Sequence, residues 1–183
     1  AEVYVLRHAE RLDAAPDDSV RNHRPWWDPP ITRNGEQQAR AAVRRGEGLN
    51  VCGVAGTGKS TLVKDIVREL RESERVEIIA RCHVSSKAFS GGMTADKFIL
   101  SKLRSFRQGT LIVEEAGQVP HYIWCQLLGL RLLGIRFIIL GDIANQLAPV
   151  SDTFGGRELT LEADASFLRT LTDGNRLNLL EGK

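Results

Sequence analysis

The sequence predicts an α/β fold, a mostly parallel sheet flanked by helices, and three observations carry that prediction. Apolar, strand-like runs recur at 49–53, 76–81, 110–114 and 136–140. Helical patterns fill the intervals at 59–71, 94–106 and 120–133. The first of these strands enters its helix through a glycine-rich string, Gly53-Val54-Ala55-Gly56-Thr57-Gly58-Lys59-Ser60. The 183 residues, 42% of them hydrophobic, suffice for one medium domain or one domain with an appended segment.

Taken in order, a short strand at Val3–Leu6 runs into Arg7-His8-Ala9-Glu10-Arg11, and a long polar loop follows as far as Trp26-Trp27-Asp28-Pro29-Pro30. Ile31-Thr32-Arg33-Asn34-Gly35 leads into a helix-compatible run, Glu36 to Arg45, and Gly46-Glu47-Gly48 reads as a boundary. Leu49-Asn50-Val51-Cys52 is the strand before the glycine-rich loop, and Thr61 to Leu70 continues as an amphipathic helix. Pro120 suits the first turn of the helix at 120–133, and Gly134 suits its C-terminal end. No internal repeat or low-complexity tract interrupts this order.

The loop from Gly53 to Ser60 has the residues that phosphate binding requires. Glycines at Gly53, Gly56 and Gly58 let successive backbone N–H groups turn inward, and with Thr57 and Thr61 they form the expected nucleotide-binding set. Lys59 can reach the outer phosphates, and the Ser60 hydroxyl can ligate Mg²⁺. Thr110-Leu111-Ile112-Val113 ends in Glu114-Glu115, which places one acid for the cation and a neighbour to orient or deprotonate the attacking water. The strand at 136–140 ends in Gly141-Asp142-Ile143-Ala144-Asn145-Gln146-Leu147-Ala148-Pro149-Val150, where Gln146 is positioned to sense a γ-phosphate. Arg176 in Leu171-Thr172-Asp173-Gly174-Asn175-Arg176 offers a planar cation for a phosphate.

Composition excludes little else. A formal charge of +2 neither demands nor excludes a nucleic-acid partner. Cys52, Cys82 and Cys125 lack metal-ligand spacing and read as buried, reduced thiols. No apolar run approaches the ~20 residues that span a bilayer, and an intracellular protein, cytoplasmic or nuclear, is expected. Lys97, Lys102, Arg104 and Arg107 fit the solvated face of a helix, and Trp124 fits a core position among Ile123, Leu127 and Leu128.

Two family resemblances rest on these residues. Val3-Tyr4-Val5-Leu6-Arg7-His8-Ala9-Glu10-Arg11 together with Asp28-Pro29-Pro30-Ile31-Thr32-Arg33-Asn34-Gly35-Glu36-Gln37-Gln38-Ala39 resembles the opening of histidine phosphatases of the phosphoglycerate mutase type. That resemblance implies a phosphohistidine nucleophile at His8 and a phosphate clamp at Arg7, with Ala9 standing where the family usually has Gly. It covers about the first 45 residues, and the second His, the acid and the further Arg of such an enzyme have no recognisable equivalents downstream.

From residue 49 to 183 the loop, the Leu111-Ile112-Val113-Glu114-Glu115-Ala116 strand end, the Gly141–Val150 string and the Arg176 segment together resemble the first RecA-like domain of superfamily 1 DNA helicases of the RecD-like type. This resemblance implies a P-loop ATPase that uses ATP and Mg²⁺, with Lys59, Glu114, Glu115, Gln146 and Arg176 as its catalytic set. It also implies contact with single-stranded DNA or RNA through segments near 79–88 and 92–95. Glu114 departs from the Asp usual in that family. A second RecA-like domain, expected in trans, would supply the arginine finger, worth ~10³ or more in rate.

The sequence thus predicts a segment at 1–48 that is histidine-phosphatase-like and incomplete, followed by a RecA-like domain at 49–183. Three functions stand open at this point: ATP binding with weak hydrolysis by a helicase-like domain, phosphomonoester hydrolysis through His8, or a catalytically inert fusion of the two.

Overall fold

A computed structural model describes residues 33–54, 56–87, 89–143, 149, 153–154, 157–158 and 166–179. The first helix, α1 (Arg33–Arg44), precedes β1 (Leu49–Gly53) and α2 (Lys59–Leu70), and β2 (Val76–Ala80) is followed by the short α3 (His83–Ser86). Next come β3 (Met93–Thr94), α4 (Ala95–Ser101), β4 (Thr110–Glu114), α5 (His121–Leu132) and β5 (Arg136–Gly141). An antiparallel pair of two-residue strands, β6 (Thr153–Phe154) and β7 (Arg157–Glu158), then α6 (Ser166–Leu171) and β8 (Arg176–Leu179), complete the order.

Six strands form one sheet in the order β3-β2-β4-β5-β1-β8, and every pairing in it is parallel. Both faces are covered, so the strands are apolar on both sides. In β4, Ile112 faces the cluster built on α1 and α2, where Leu49, Val51, Ile66, Val67 and Ile138 meet. Leu111 and Val113, one residue to either side, face the opposite cluster with Phe98, Trp124, Leu127 and Leu168. The period of two along a pleated strand gives each face its own set.

The four predicted strands and the helices at 59–71 and 120–133 match observed elements closely. The helix predicted at 94–106 is shorter: α4 ends at Ser101. Lys102 leaves helical geometry and its ammonium pairs with the buried Glu77 at 2.7 Å, while Phe106 returns to the core edge-on to Phe98. Trp124 is core as expected, 2% exposed and packed against Phe167. Two of the three cysteines differ from expectation. Cys52 is buried, but Cys82 lies at the exposed start of α3 and Cys125 on the outward face of α5.

Packing runs across the boundary expected at Gly46–Gly48. Ala39 and Val43 of α1 are buried in the same cluster as Leu62 and Ile66 of α2, and Arg40 pairs with Glu36 and Glu69. Gly48 N–H donates to Asp173 Oδ2 at 2.7 Å, and Asn175 Nδ2 donates to Gly48 O at 3.0 Å. A Cβ at Gly48 would stand 2.7 Å from the Leu171 carbonyl oxygen, so the glycine permits a close approach there. The strand expected at Val3–Leu6, the Arg7–His8 pair, Trp26 and Trp27 lie outside the described residues.

Candidate phosphate and cation site

β1, β4 and β5 lie side by side, so their C-terminal ends deliver three loops to one edge of the sheet. In open α/β sheets ligands bind at that edge. The β1–α2 loop turns at Gly56 (φ 84°) and Gly58 (φ 81°), both in the left-handed region that favours glycine. Gly58 caps α2, whose amide ends therefore open onto the loop. Thr57 is buried, and its hydroxyl donates to Val54 O at 2.8 Å, closing the turn from inside. Thr61 is exposed on the first turn of α2.

Lys59 Nζ donates to the carbonyls of Gly53 and Val54 at 2.7 and 2.6 Å, which holds the ammonium in the cup of the loop. Burial lowers its pKa, and the negative charges of Glu115 and then Asp142 oppose that shift. Glu115, an acid expected from the sequence, and Asp142 thus both act electrostatically on the loop lysine.

Ser60 and Glu114 meet directly. The Ser60 hydroxyl donates to Glu114 Oε1 at 2.8 Å, joining the loop to the end of β4. Glu114 is only 5% exposed, and its Oε2 is buried with no hydrogen-bond donor among the described residues. Burial raises its pKa, partly offset by the Ser60 bond. A hydroxyl beside a carboxylate with an unpartnered oxygen is a hard-oxygen donor set that suits Mg²⁺.

Glu115 begins the short 3₁₀ turn Ala116–Gln118 with φ 53° and ψ 49°. A non-glycine residue in that region costs about 1–3 kcal/mol and recurs at functional positions. The turn directs the chain from β4 toward α5 through Pro120. The sequence marked the acidic pair but had no signal for this backbone conformation.

The structure does not bring Arg176 to this edge. In the parallel register β8 aligns Arg176 with Asn50 and Leu179 with Gly53, so Arg176 stands at the opposite end of the short strand from the loop. Its guanidinium Nε donates to Asn178 Oδ1 at 2.8 Å. Gln146 lies outside the described residues. Arg81 and Asp96, which the sequence did not single out, form an ion pair at 2.9 Å, and the Tyr122 hydroxyl donates to the same carboxylate at 2.8 Å. That network ties the ends of β2 and the start of α5 to α4. No group of three or more potential metal-ligating His, Cys, Asp or Glu residues occurs among the described residues. No helix among them is long and apolar enough to cross a membrane.

Residues 49–144 match the model of the viral superfamily 1 RNA helicase core domain. Among solved structures, the Pif1 helicase from Candida albicans superposes with a TM-score of 0.62 at 23% identity, over 82% of this chain and 40% of that one. The unliganded Pif1 from a Bacteroides species gives 0.59 at 18% identity, over 82% and 42%. Bacteroides Pif1 bound to single-stranded DNA gives 0.58 at 18% identity, with the same coverage. The chain therefore spans about two fifths of the length of these structures, and the likeness establishes a shared fold. No curated protein matches the chain.

Proposed function

The chain belongs to the viral superfamily 1 RNA helicase core family, and on that premise we propose that it binds ATP with Mg²⁺ at Gly53–Thr61 and hydrolyses it slowly. The observation that carries this reading is the Ser60–Glu114 hydrogen bond, which couples the phosphate loop to the acidic strand end beside Lys59. Loop amides and the α2 N-terminus would hold the phosphates, and Lys59 would trade its carbonyl partners for phosphate oxygens. Ser60 and Glu114 would hold Mg²⁺, which when bound neutralises charge on the β- and γ-phosphates. Glu115 would orient and deprotonate the attacking water, and Gln146 would monitor the γ-phosphate.

Single-stranded DNA or RNA is the proposed second ligand. The Bacteroides Pif1 with the same fold is bound to single-stranded DNA, which supports this choice. A second RecA-like domain acting in trans would supply the arginine finger and raise the rate. An ATPase assay with and without single-stranded DNA and RNA tests the reading, using wild type, Lys59→Ala and Glu115→Gln. Polymer-stimulated turnover that both substitutions abolish is the expected result. Turnover indifferent to both would refute it.

A further inference from the structure

We propose that the outward face of α5 is the docking surface for an acidic amphipathic helix of a partner protein. The inference goes beyond the nucleotide site and does not depend on it.

α5 has the composition of a helix covered on every side. Its inward residues Ile123, Trp124, Leu127 and Leu130 are buried in the core. The opposite stripe, formed by Tyr122, Cys125, Gln126, Gly129, Leu132 and Leu133, is exposed along its whole length and bears no charge. Leu132 is 90% exposed and Tyr122 half-exposed. A surface helix ordinarily carries its charges on that face, yet Arg131 is the one Lys, Arg, Asp or Glu of α5, and it turns aside to pair with Asp173. An exposed stripe of this kind marks a contact surface. Near its middle nothing lies within 4 Å of the position a Cβ on Gly129 would take. The stripe therefore dips between Cys125 and Leu132, and the notch suits one large apolar side chain of the partner.

Charge selects the occupant. α4 packs over β2 and β3, and α6 leads into β8 at the other edge of the sheet, so α5 lies between them on the same face. On these neighbours and in the turn after α4, Lys97, Arg104, Arg107 and Arg169 are exposed without an ion-pair partner among the described residues. The acid on the same surface, Asp96, is held by Arg81 and Tyr122. A basic rim around an apolar stripe complements a helix whose apolar side is flanked by Asp or Glu. A second copy docked about a two-fold axis would set one basic rim against another. Single-stranded nucleic acid would answer the charge, but Leu132 and Leu133 give its bases neither an aromatic face nor a hydrogen bond.

Fluorescence anisotropy of a labelled synthetic helix with the full chain tests the proposal. The probe carries leucines at every third or fourth position with glutamates on either side, and its control has lysines for the glutamates. The acidic helix should bind with an affinity that falls as salt rises, and the basic helix should bind at least about tenfold more weakly. Leu132→Asp and Gly129→Lys both stand in open surroundings that leave the fold intact, and each should weaken binding of the acidic helix about tenfold or more. No binding of the acidic helix, equal binding of the two helices, or variants that bind like wild type would overturn the proposal. So would a face that Leu132→Asp shows to be occupied otherwise, by phosphatidylserine vesicles, by single-stranded DNA, or by a second copy in sedimentation equilibrium.

Discussion

Replacing Glu114 by methionine should make the protein more stable at neutral pH. The side chain is 5% exposed, Oε2 has no donor among the described residues, and burial raises the pKa of the carboxyl above its ordinary value of 4.5. A charged oxygen left without a partner costs about 1–3 kcal/mol, and a methionine of similar length replaces it with apolar contact. The Ser60 hydroxyl, partly exposed, turns to solvent at little cost. The net gain should be about 1–3 kcal/mol, and each kcal/mol raises the melting temperature of a chain this size by roughly 2–4 °C.

The pH dependence supplies the sharper test. Because the folded pKa lies above the unfolded one, the folded chain holds more protons between the two, so wild-type stability falls as pH rises through that window. Glu114→Met lacks the group. The advantage of Glu114→Met should therefore be smallest below pH 4.5, widen as pH rises, and level off once the folded carboxyl is ionised. Urea denaturation at a series of pH values measures it. A gap that is constant from pH 4 to 8, or a variant less stable than wild type at pH 7, would refute the reasoning.

Other expectations follow from the same packing. Glu77, 6% exposed, accepts from Arg75 and Lys102, so Glu77→Ala should lower stability by about 1–2 kcal/mol, the half-exposed cations turning to water; an unchanged urea midpoint would contradict this. Ala39 of α1 is fully buried against the α2 cluster, and Ala39→Asp should cost at least about 3 kcal/mol in thermal unfolding, whereas a variant as stable as wild type would show that α1 is not part of the P-loop unit. Lys59 has a pKa below its ordinary 10.5, so calorimetric Mg·ATP affinity should begin to fall at a lower pH than an unperturbed lysine allows, with proton uptake on binding; pH-independent affinity up to 10.5 would count against it.

Much of the sheet was legible because its strands are buried on both faces. The runs Leu111-Ile112-Val113 and Phe137-Ile138-Ile139-Leu140 read as strands without reference to partners, and glycines and prolines punctuate the helices between them. What escaped notice is short or defined by distant partners. β3 has two residues, and β8 is recognisable only once Leu177 and Leu179 pack beside β1. The same register explains why Arg176 read as a phosphate ligand from its segment yet stands at the far end of the strand. The glycines at 46 and 48 read as a boundary by composition, and only the fold shows that Asp173 and Asn175, more than 120 residues away in sequence, hydrogen-bond to Gly48 there. At the site itself the loop and the acidic pair were legible as residue types. The contact between Ser60 and Glu114, and the left-handed Glu115, depend on where β1 and β4 end in space.

Calorimetric titration of the full chain with Mg·ATP, wild type against Lys59→Ala, bears most directly on the central claim. Loss of charge-assisted hydrogen bonds to phosphate, worth about 1.5–3 kcal/mol each, predicts affinity reduced roughly tenfold to more than a hundredfold in the variant. Equal affinity in the two proteins, or no binding to wild type, would contradict the account.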